Sequence, residues 1–291
     1  MPIRKLLAVF AAAVVAACAS LALDNPRPSP PSAQAIVPVK SERPLVALAL
    51  GGGGARGFAH VGVIRALEDA GVHPDIVTGS SSGAIVAALY ASGLSGAELE
   101  RLAADLDQGA LVDFSLFGKG WVRGEALQEF VNRTVGNRPI ELLSKPFAVV
   151  ATDAKTGRMV IFNRGETGLA VRASSSVPDL FIPPVIEGVE YVDGGLTSPV
   201  PVRVARAMGA DVVIAVDLTR YWRSRELAED DLKDADLVIR PDTVRTRLLD
   251  FSAKRENIAA GARAAQGAGP RVAELVREAA RRKAARRAPS A

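Results

Sequence analysis

Residues Val46 to Leu94 read VALALGGGGARGFAHVGVIRALEDAGVHPDIVTGSSSGAIVAALYASGL. In this stretch an apolar run leads into four glycines, and a helical repeat of apolar residues follows at Phe58, Val61, Ile64 and Leu67. A second apolar run, from Asp75 to Thr78, leads into a serine-rich turn and a second helical pattern. The order predicts strand, glycine turn, helix, strand, serine turn, helix. Both turns then open at the same end of a parallel sheet, where open α/β folds bind ligands.

The composition indicates one large domain with extensions. The chain has 291 residues, of which 48% are hydrophobic, so it can bury a substantial core. Its formal charge is +4, and the segment from Arg271 onward carries seven Lys/Arg against two Glu, a local balance of +5. The remainder is close to neutral, which argues against nucleic acid as a partner. No segment suggests a metal site, a cofactor or an obligate protein partner.

Residues 1–23 have the pattern of a secretory signal. Two basic residues precede a continuous apolar run, Leu6 to Ala17, which is short for a membrane span. Cys18 is the single cysteine, and with Val15-Ala16-Ala17 before it the box resembles the cleavage site of bacterial lipoproteins. We therefore expect an exported protein that is lipid-anchored through Cys18 to a bacterial membrane, on the periplasmic side or in the cell envelope. The alternatives are an ordinary signal peptide and an uncleaved anchor.

Residues 24–44 have the composition of a linker. Six prolines lie among Ser, Ala and Gln, and the segment has little apolar surface to bury. We expect a semi-extended tether that ends where the folded domain begins, at Leu45.

The glycine turn fits two kinds of site. Gly52 to Gly57 matches the G-x-G-x-x-G pattern of dinucleotide-binding turns. Such sites also need an acidic residue at the end of the second strand, but here that strand ends in serines and Asp75 precedes it. The other interpretation is an oxyanion hole, because glycines let backbone N–H groups point into a cleft at a helix N-terminus. We favour the oxyanion hole because of the motif that follows.

That motif, Gly79-x-Ser81-x-Gly83, matches the nucleophile elbow. In such elbows a serine lies on a tight strand-to-helix turn, and the flanking glycines relieve the crowding. Ser81 is therefore the candidate nucleophile. Ser80 and Ser82 are interpreted as turn or cap residues that offer hydroxyls to the start of the helix.

The histidines decide which kind of base could serve this serine. The chain has only His60 and His73, and both precede Ser81. In an α/β-hydrolase the histidine follows the nucleophile and the acid, so a Ser-His-Asp triad in that order is impossible. We interpret His60 as a packed helix residue near the cleft.

A second chemical stretch runs from Arg172 to Leu196. Val185 to Val192 predicts a hairpin around Glu187-Gly188, and this hairpin delivers Asp193 at the end of a strand. Asp-Gly-Gly can be a mere turn, but beside a serine elbow without a histidine it becomes the natural partner. A carboxylate with an ordinary pKa of about 3.9 is a poor base in water, so burial or a coupled proton transfer is required.

Three ordered motifs resemble the patatin-like phospholipases, namely Gly52-Gly-Gly-Ala-Arg-Gly57, Gly79-Ser-Ser-Ser-Gly83 and Asp193-Gly-Gly195. The resemblance is strongest to the bacterial members that carry the run from Arg172 to Pro184. It implies a three-layer α/β/α fold around a mainly parallel sheet, and hydrolysis of lipid acyl esters by a Ser-Asp dyad without calcium.

The resemblance also implies roles for individual residues. Ser81 is the nucleophile, and Asp193 is the base and then the acid. The oxyanion site is formed by Gly52, Gly53, Gly54 and Arg56. The remaining motif glycines are Gly57, Gly79, Gly83, Gly194 and Gly195. This chain has Thr197-Ser198-Pro199 where many relatives carry an Asn, and we expect that departure to leave the pair intact.

The resemblance covers residues 45–218, which we take as the catalytic domain, with a C-terminal extension at 219–291. The sequence pattern of the extension predicts a charged loop and a basic helix. This helix is either solvated and frayed or bound to a membrane surface. Gly267, Gly269 and Pro270 should interrupt it. Within the catalytic domain, a loop with Phe114, Leu116, Phe117 and Trp121 is interpreted as core lining, or as an acyl-binding or membrane-facing lip.

The expected function is cleavage of acyl-ester bonds in (lyso)phospholipids or related lipids through an acyl-enzyme, with lipid and the membrane surface as partners. Two other functions fit the same motifs. A transacylase would pass the acyl group to an alcohol other than water, and a membrane-associated lipid-binding protein would keep the fold without turnover.

Overall fold

A mainly parallel sheet forms the middle of the fold. The computed structural model describes residues 28–113, 121–221 and 225–287. The strands are β1 (Val46–Leu50), β2 (Ile76–Ser80), β3 (Phe147–Asp153), β4 (Met159–Phe162), β5 (Val185–Ile186), β6 (Val189–Val192), β7 (Val212–Val216) and β8 (Leu237–Ile239). Their order is β5-β6-β3-β2-β1-β7-β8, and β4 pairs with the other edge of β3. The five strands from β3 to β8 in this order are parallel.

Nine α-helices connect and cover these strands in the described ranges. They are α1 (Phe58–Asp69), α2 (Ser82–Ala91), α3 (Gly96–Asp105), α4 (Glu125–Thr134), α5 (Thr167–Ser174), α6 (Val202–Ala207), α7 (Arg225–Leu232), α8 (Lys254–Ala265) and α9 (Ala268–Arg287). Of the helices that the structure describes, none is both long enough and apolar enough to cross a bilayer.

The alternation of side chains in β1 explains the three layers. Leu48 and Leu50 belong to a core that also contains side chains of α1 to α5, α8 and α9. Ala47 and Ala49 point the other way, into a core with α6 and Leu232 at the end of α7. Because successive side chains of a strand face opposite sides, both faces of the sheet are covered. The three-layer α/β/α fold is confirmed.

Two local predictions are also confirmed. The β5–β6 hairpin turns at Glu187 and Gly188, which both have positive φ. The C-terminal helical pattern is interrupted at Gly267, where φ is +77°, between α8 and α9, whereas Gly269 does not break α9. Pro270 lies in the first turn of α9, where the missing N–H costs no hydrogen bond.

The tether interpretation of residues 24–44 is wrong for its described part, 28–44. Ser32 pairs with Arg164 in an antiparallel bridge, and the Val39 amide donates to the Met208 carbonyl at 2.8 Å. Ile36 and Val39 pack against the core on the α6 side of the sheet. The prolines keep the segment extended, but these two apolar side chains attach it to the domain.

The C-terminal segment is packed into the domain, contrary to the expectation of a frayed, solvated helix. β8 belongs to the main sheet, and Val272, Leu275 and Ala279 of α9 are buried. α8 crosses α1 so closely that a Cβ on Gly261 would lie 1.9 Å from the Ala59 carbonyl oxygen. Residues after Leu218 therefore complete the same core.

Candidate active site

Ser81 and Asp193 meet because β2 and β6 share one edge of β3. β2 runs parallel to β3 along its first four residues, whereas β6 runs antiparallel along its last two. The residues that follow the two strands, Ser81 and Asp193, both fall opposite Ala151. The ends of two strands that are distant in sequence thus converge on one point of the sheet.

Ser81 lies on a strained turn between β2 and α2. Its φ is 53° and its ψ is −129°, a conformation that residues other than glycine seldom adopt. Its Oγ donates a hydrogen bond to Asp193 Oδ2 at 2.6 Å, and both side chains are buried. This is the geometry that the nucleophile-elbow motif predicts.

The flanking glycines are needed because the turn is crowded. A Cβ on Gly79 would lie 2.5 Å from Ala84 Cα, and one on Gly83 would lie 2.2 Å from the Leu50 carbonyl oxygen. Gly57 abuts Ser82 in the same way, and a Cβ on Gly194 would lie 2.1 Å from the Val150 carbonyl oxygen. The motif glycines therefore allow close packing within and around the serine turn.

The capping role expected of Ser80 and Ser82 is not observed. Neither hydroxyl has a hydrogen-bond partner in the described residues, and α2 begins without a side-chain cap. Both side chains are buried against neighbouring glycines, since Ser80 Oγ faces Gly194 and Ser82 Oγ faces Gly57.

Burial makes Asp193 a better base than an exposed carboxylate. It raises the pKa of Asp193 from 3.8 to about 6, although hydrogen bonds from Ser81 and from the Gly195 amide act in the opposite direction. The Gly195 amide donates to Oδ1 at 2.7 Å, which leaves Oδ2 directed at Ser81. At neutral pH Asp193 is therefore mostly ionised, and its pKa is close enough to 7 for the carboxylate to accept and return a proton.

The glycine loop presents two backbone N–H groups without an acceptor in the described part of the chain, those of Gly53 and Gly54. The neighbouring amides are engaged, with Gly51 donating to Val216 and Ala55 donating to the Leu248 carbonyl at 2.7 Å. Gly54 has a left-handed φ of +57°, which glycine adopts without strain. This loop is suited to bind a developing oxyanion.

Two of the expected oxyanion residues have supporting positions instead. The Gly52 amide donates to the Pro199 carbonyl at 3.0 Å, and a Cβ on Gly52 would lie 3.1 Å from Ser81 Cβ. Arg56 is buried, and its Nε donates to the Gly53 carbonyl at 3.1 Å. Gly52 therefore gives room to Ser81, and Arg56 holds the loop backbone.

His60 is the packed helix residue that its position in the sequence suggests. Its Nε2 lies 2.7 Å from the Gly51 carbonyl oxygen, and its side chain is fully buried. Burial lowers the pKa of His60 to about 4, so the ring is neutral near pH 7. A neutral ring donates from Nε2 to this carbonyl and supports the glycine loop from behind.

An apolar cavity opens beside Ser81. The cavity has a volume of about 110 Å³ and is lined mainly by apolar side chains. Helices α1 to α4 contribute nearly half of the lining residues, and Leu248, Leu249 and Phe251 also line the cavity. Such a cavity suits a hydrocarbon chain attached to a carbonyl group near Ser81.

Sequence reasoning missed Leu248 and assigned no role to the serines of the Arg172–Pro184 run. Leu248 packs on the glycine loop so closely that a Cβ on Gly54 would lie 2.5 Å from its Cδ1. No motif surrounds Leu248, so the sequence held no signal for it. Phe114, Leu116 and Phe117 of the aromatic loop lie outside the described residues, and Trp121 is 68% exposed, not core lining.

The sequence model of the patatin-like phospholipases matches residues 48–206, more than half of the chain. The chain belongs to this family. The patatin-like region includes the glycine loop, Ser81 and Asp193, whereas Leu248, α8 and α9 lie beyond the match.

Similar proteins include an uncharacterized NTE family protein of Mycobacterium tuberculosis, which is 40% identical over 181 residues, 61% of this chain and 50% of that protein. Mouse patatin-like phospholipase domain-containing protein 6 is 35% identical over 182 residues, 60% of this chain and 13% of the mouse protein. The chain thus spans half or less of these curated relatives. VipD from Legionella pneumophila has the same fold, with a TM-score of 0.52 and 15% identity over 86% of this chain and 70% of VipD.

Proposed function

We propose that this protein is a serine acyl hydrolase that cleaves acyl-ester bonds of (lyso)phospholipids or related lipids through a Ser81–Asp193 dyad. The supporting observation is the 2.6 Å hydrogen bond from Ser81 Oγ to Asp193 Oδ2 beside an apolar cavity that Ser81 lines. Membership of the patatin-like phospholipases supports the same class of substrate.

In the first half-reaction, Ser81 Oγ attacks the carbonyl carbon of the ester while Asp193 Oδ2 takes the hydroxyl proton. The Gly53 and Gly54 amides bind the negative oxygen of the tetrahedral intermediate. The intermediate collapses, the bond to the alcohol breaks, and Asp193 returns the proton to the departing oxygen. The acyl group remains on Ser81.

In the second half-reaction, water attacks the acyl-enzyme and Asp193 accepts a proton from it. Collapse of this intermediate releases the fatty acid, and Asp193 gives the proton back to Ser81 Oγ. One carboxylate therefore serves as base and acid in both halves, which a pKa of about 6 permits near neutral pH.

The test is fatty-acid release from a lysophospholipid and from a short-chain aryl ester by protein that lacks residues 1–23. Wild type, Ser81→Ala and Asp193→Ala are compared after circular dichroism has shown that all three fold. We expect turnover by wild type and its loss in both variants. Turnover that survives in Ser81→Ala would contradict the nucleophile.

Two further measurements distinguish the alternative functions. Acylated product that forms only after an acceptor lipid is added identifies a transacylase. Lipid binding by wild type without any turnover identifies a binding protein.

We also propose that the protein is exported and anchored through a lipid on Cys18. Residues 1–27 lie outside the described residues, so this proposal rests on the sequence pattern alone. Cys18→Ala should move the protein from the membrane fraction to the soluble fraction. A variant that stays with the membranes would contradict the lipid anchor.

The membrane surface as a partner also stays a proposal. It is supported by Trp121, which is 68% exposed and whose amide donates to Leu180, next to Phe181 of the cavity wall. Exposed Trp side chains favour the interface between lipid and water. Trp121→Ala should weaken sedimentation with phospholipid vesicles and leave turnover of a soluble aryl ester unchanged.

A further inference from the structure

Three consecutive serines, Ser174 to Ser176, form the turn at the end of α5. The turn belongs to the run from Arg172 to Pro184, which carries part of the family resemblance but takes no part in the proposed proton transfers. All three side chains are buried, with 0%, 6% and 0% exposure. A cluster of buried hydroxyls next to a reactive serine calls for a physical explanation.

Two of these hydroxyls hold the backbone of Ser81. The Ser81 amide donates to Ser174 Oγ at 2.9 Å, and Ser175 Oγ donates to the Ser81 carbonyl oxygen at 3.3 Å. Ser81 is strained, with φ 53° and ψ −129°. A strained residue persists only where its surroundings determine its conformation, and here one turn binds both sides of the residue.

The same turn also holds Asp193. The Asp193 amide donates to the Ser176 carbonyl at 2.9 Å, and Ser176 Oγ closes the turn by donating to the Arg172 carbonyl at 2.7 Å. Both ends of the 2.6 Å hydrogen bond between Ser81 and Asp193 are therefore attached to three adjacent residues.

We propose that the Ser174–Ser176 turn sets the distance and direction between the two reacting side chains, with Ser174 and Ser175 as positioning residues that act through the backbone of Ser81. This proposal rests on the proposed function. Both hydroxyls are hydrogen-bonded to the backbone of Ser81, although Ser175 also lines the cavity. Their effect is therefore on how often Ser81 Oγ is aligned with both the ester carbon and Asp193 Oδ2.

A positioning role differs from a packing role in what it changes. Loss of packing lowers the free energy of unfolding and leaves the chemical step of the folded enzyme unchanged. Loss of positioning lowers kcat of folded enzyme, because a small displacement of reacting groups can cost about 10²-fold in rate. KM should change little, because the apolar side chains that line the cavity are unchanged.

The experiment compares Ser174→Ala and Ser175→Ala with Ser92→Ala as the matched control. Ser92 is a buried serine after the other end of α2, and its Oγ donates to the Leu89 carbonyl at 2.7 Å. Readouts are kcat and KM on an aryl ester, the rate at which a fluorophosphonate labels Ser81, and the melting temperature. Ser174→Thr, which keeps the hydroxyl, tests rescue.

We expect Ser174→Ala to lower kcat and the labelling rate by about 10- to 100-fold, with KM within about twofold of wild type. Ser175→Ala should lose about three- to tenfold, because its hydrogen bond is longer. Ser174→Thr should recover most of the loss. Ser92→Ala should lower the melting temperature without slowing labelling.

The outcomes separate this proposal from the proposed function. If the fluorophosphonate does not label wild type at Ser81, the proposed function fails. If wild type is labelled and folded Ser174→Ala and Ser175→Ala are labelled at the same rate, the positioning role is overturned and the proposed function stands. If Ser174→Ala does not fold, Ser175→Ala and Ser174→Thr decide the question.

Discussion

Asp193 and Asp231 have closely similar surroundings in two regions of the molecule. Each carboxylate accepts a serine hydroxyl, from Ser81 at 2.6 Å or from Ser198 at 2.9 Å, and each also accepts one backbone amide. Both side chains are buried, and burial raises the pKa of each carboxyl to about 6. By hydrogen bonding and pKa alone, the two pairs look equally suited to catalysis.

The difference lies around the two serines. Ser81 has a positive φ at the start of α2, lines the cavity and lies beside the loop with the unengaged amides of Gly53 and Gly54. Ser198 has none of these features in the described residues. Its segment supports the loop instead, since the Pro199 carbonyl accepts the Gly52 amide. A hydrogen-bonded Ser-Asp pair becomes a site only with a directed nucleophile, oxyanion donors and room for substrate.

The largest expected effect compares the two carboxylates directly. Asp193→Asn should lower kcat/KM for an aryl ester by about 10³-fold or more, because Asn cannot accept the proton of Ser81. Asp231→Asn should cost less than about tenfold, because it supports only the segment next to the glycine loop. Equal losses in the two variants would show that the Asp193 and Asp231 carboxylates do not differ in their contribution to catalysis.

The second-largest expected effect concerns the glycine loop beside Ser81. Gly54→Ala should lower kcat by about 10²- to 10³-fold, since the new Cβ meets Leu248 and displaces the amides that bind the oxyanion. Gly71→Ala is the control, because Gly71 also has a positive φ but faces open space. A fall in the kcat of Gly71→Ala as large as that of Gly54→Ala would point to general destabilisation.

The Ser81–Asp193 and Ser198–Asp231 pairs should contribute alike to the pH dependence of stability. A carboxyl with a raised pKa holds its proton more tightly in the folded chain than in the unfolded chain. The contribution of each group to the free energy of unfolding is therefore fully present near pH 3 and is lost as pH rises from about 4 to about 6. Asp193→Asn should therefore raise the free energy of unfolding at pH 8 by up to about 3 kcal/mol, and much less at pH 4. Asp231→Asn should change stability in the same direction.

Denaturant unfolding at the two pH values measures this change. A stability gain for Asp193→Asn that is equal at pH 4 and pH 8 would mean that the carboxylate charge is not its cause.

The smallest effect is the pH dependence of activity. Only ionised Asp193 can act as base, so kcat/KM should fall about tenfold per pH unit below pH 6 and level off above it. Asp231→Asn should keep the midpoint of this limb, because Asp231 does not contact the reacting groups. A midpoint that moves in Asp231→Asn would show that both carboxylates titrate as one system.

The sequence determined much of the fold and of the candidate site, because the decisive signals are local. Four glycines after an apolar run, and Gly79 and Gly83 around Ser81, are chemical requirements of tight turns that neighbouring residues reveal. The same holds for the hairpin that ends at Asp193. With the ordered motifs, these signals indicated the three-layer fold and brought Ser81 and Asp193 forward as partners.

Only the tertiary structure decided how the site is supported. Residues 28–44 were expected to be a tether and α8 part of an extension, but Ile36, Val39 and Gly261 pack on the domain because matching surfaces exist elsewhere in the chain. Gly52 was expected to serve the oxyanion, but its amide reaches Pro199. Such contacts depend on strand register and on residues far apart in sequence, so no local pattern of residues encodes them.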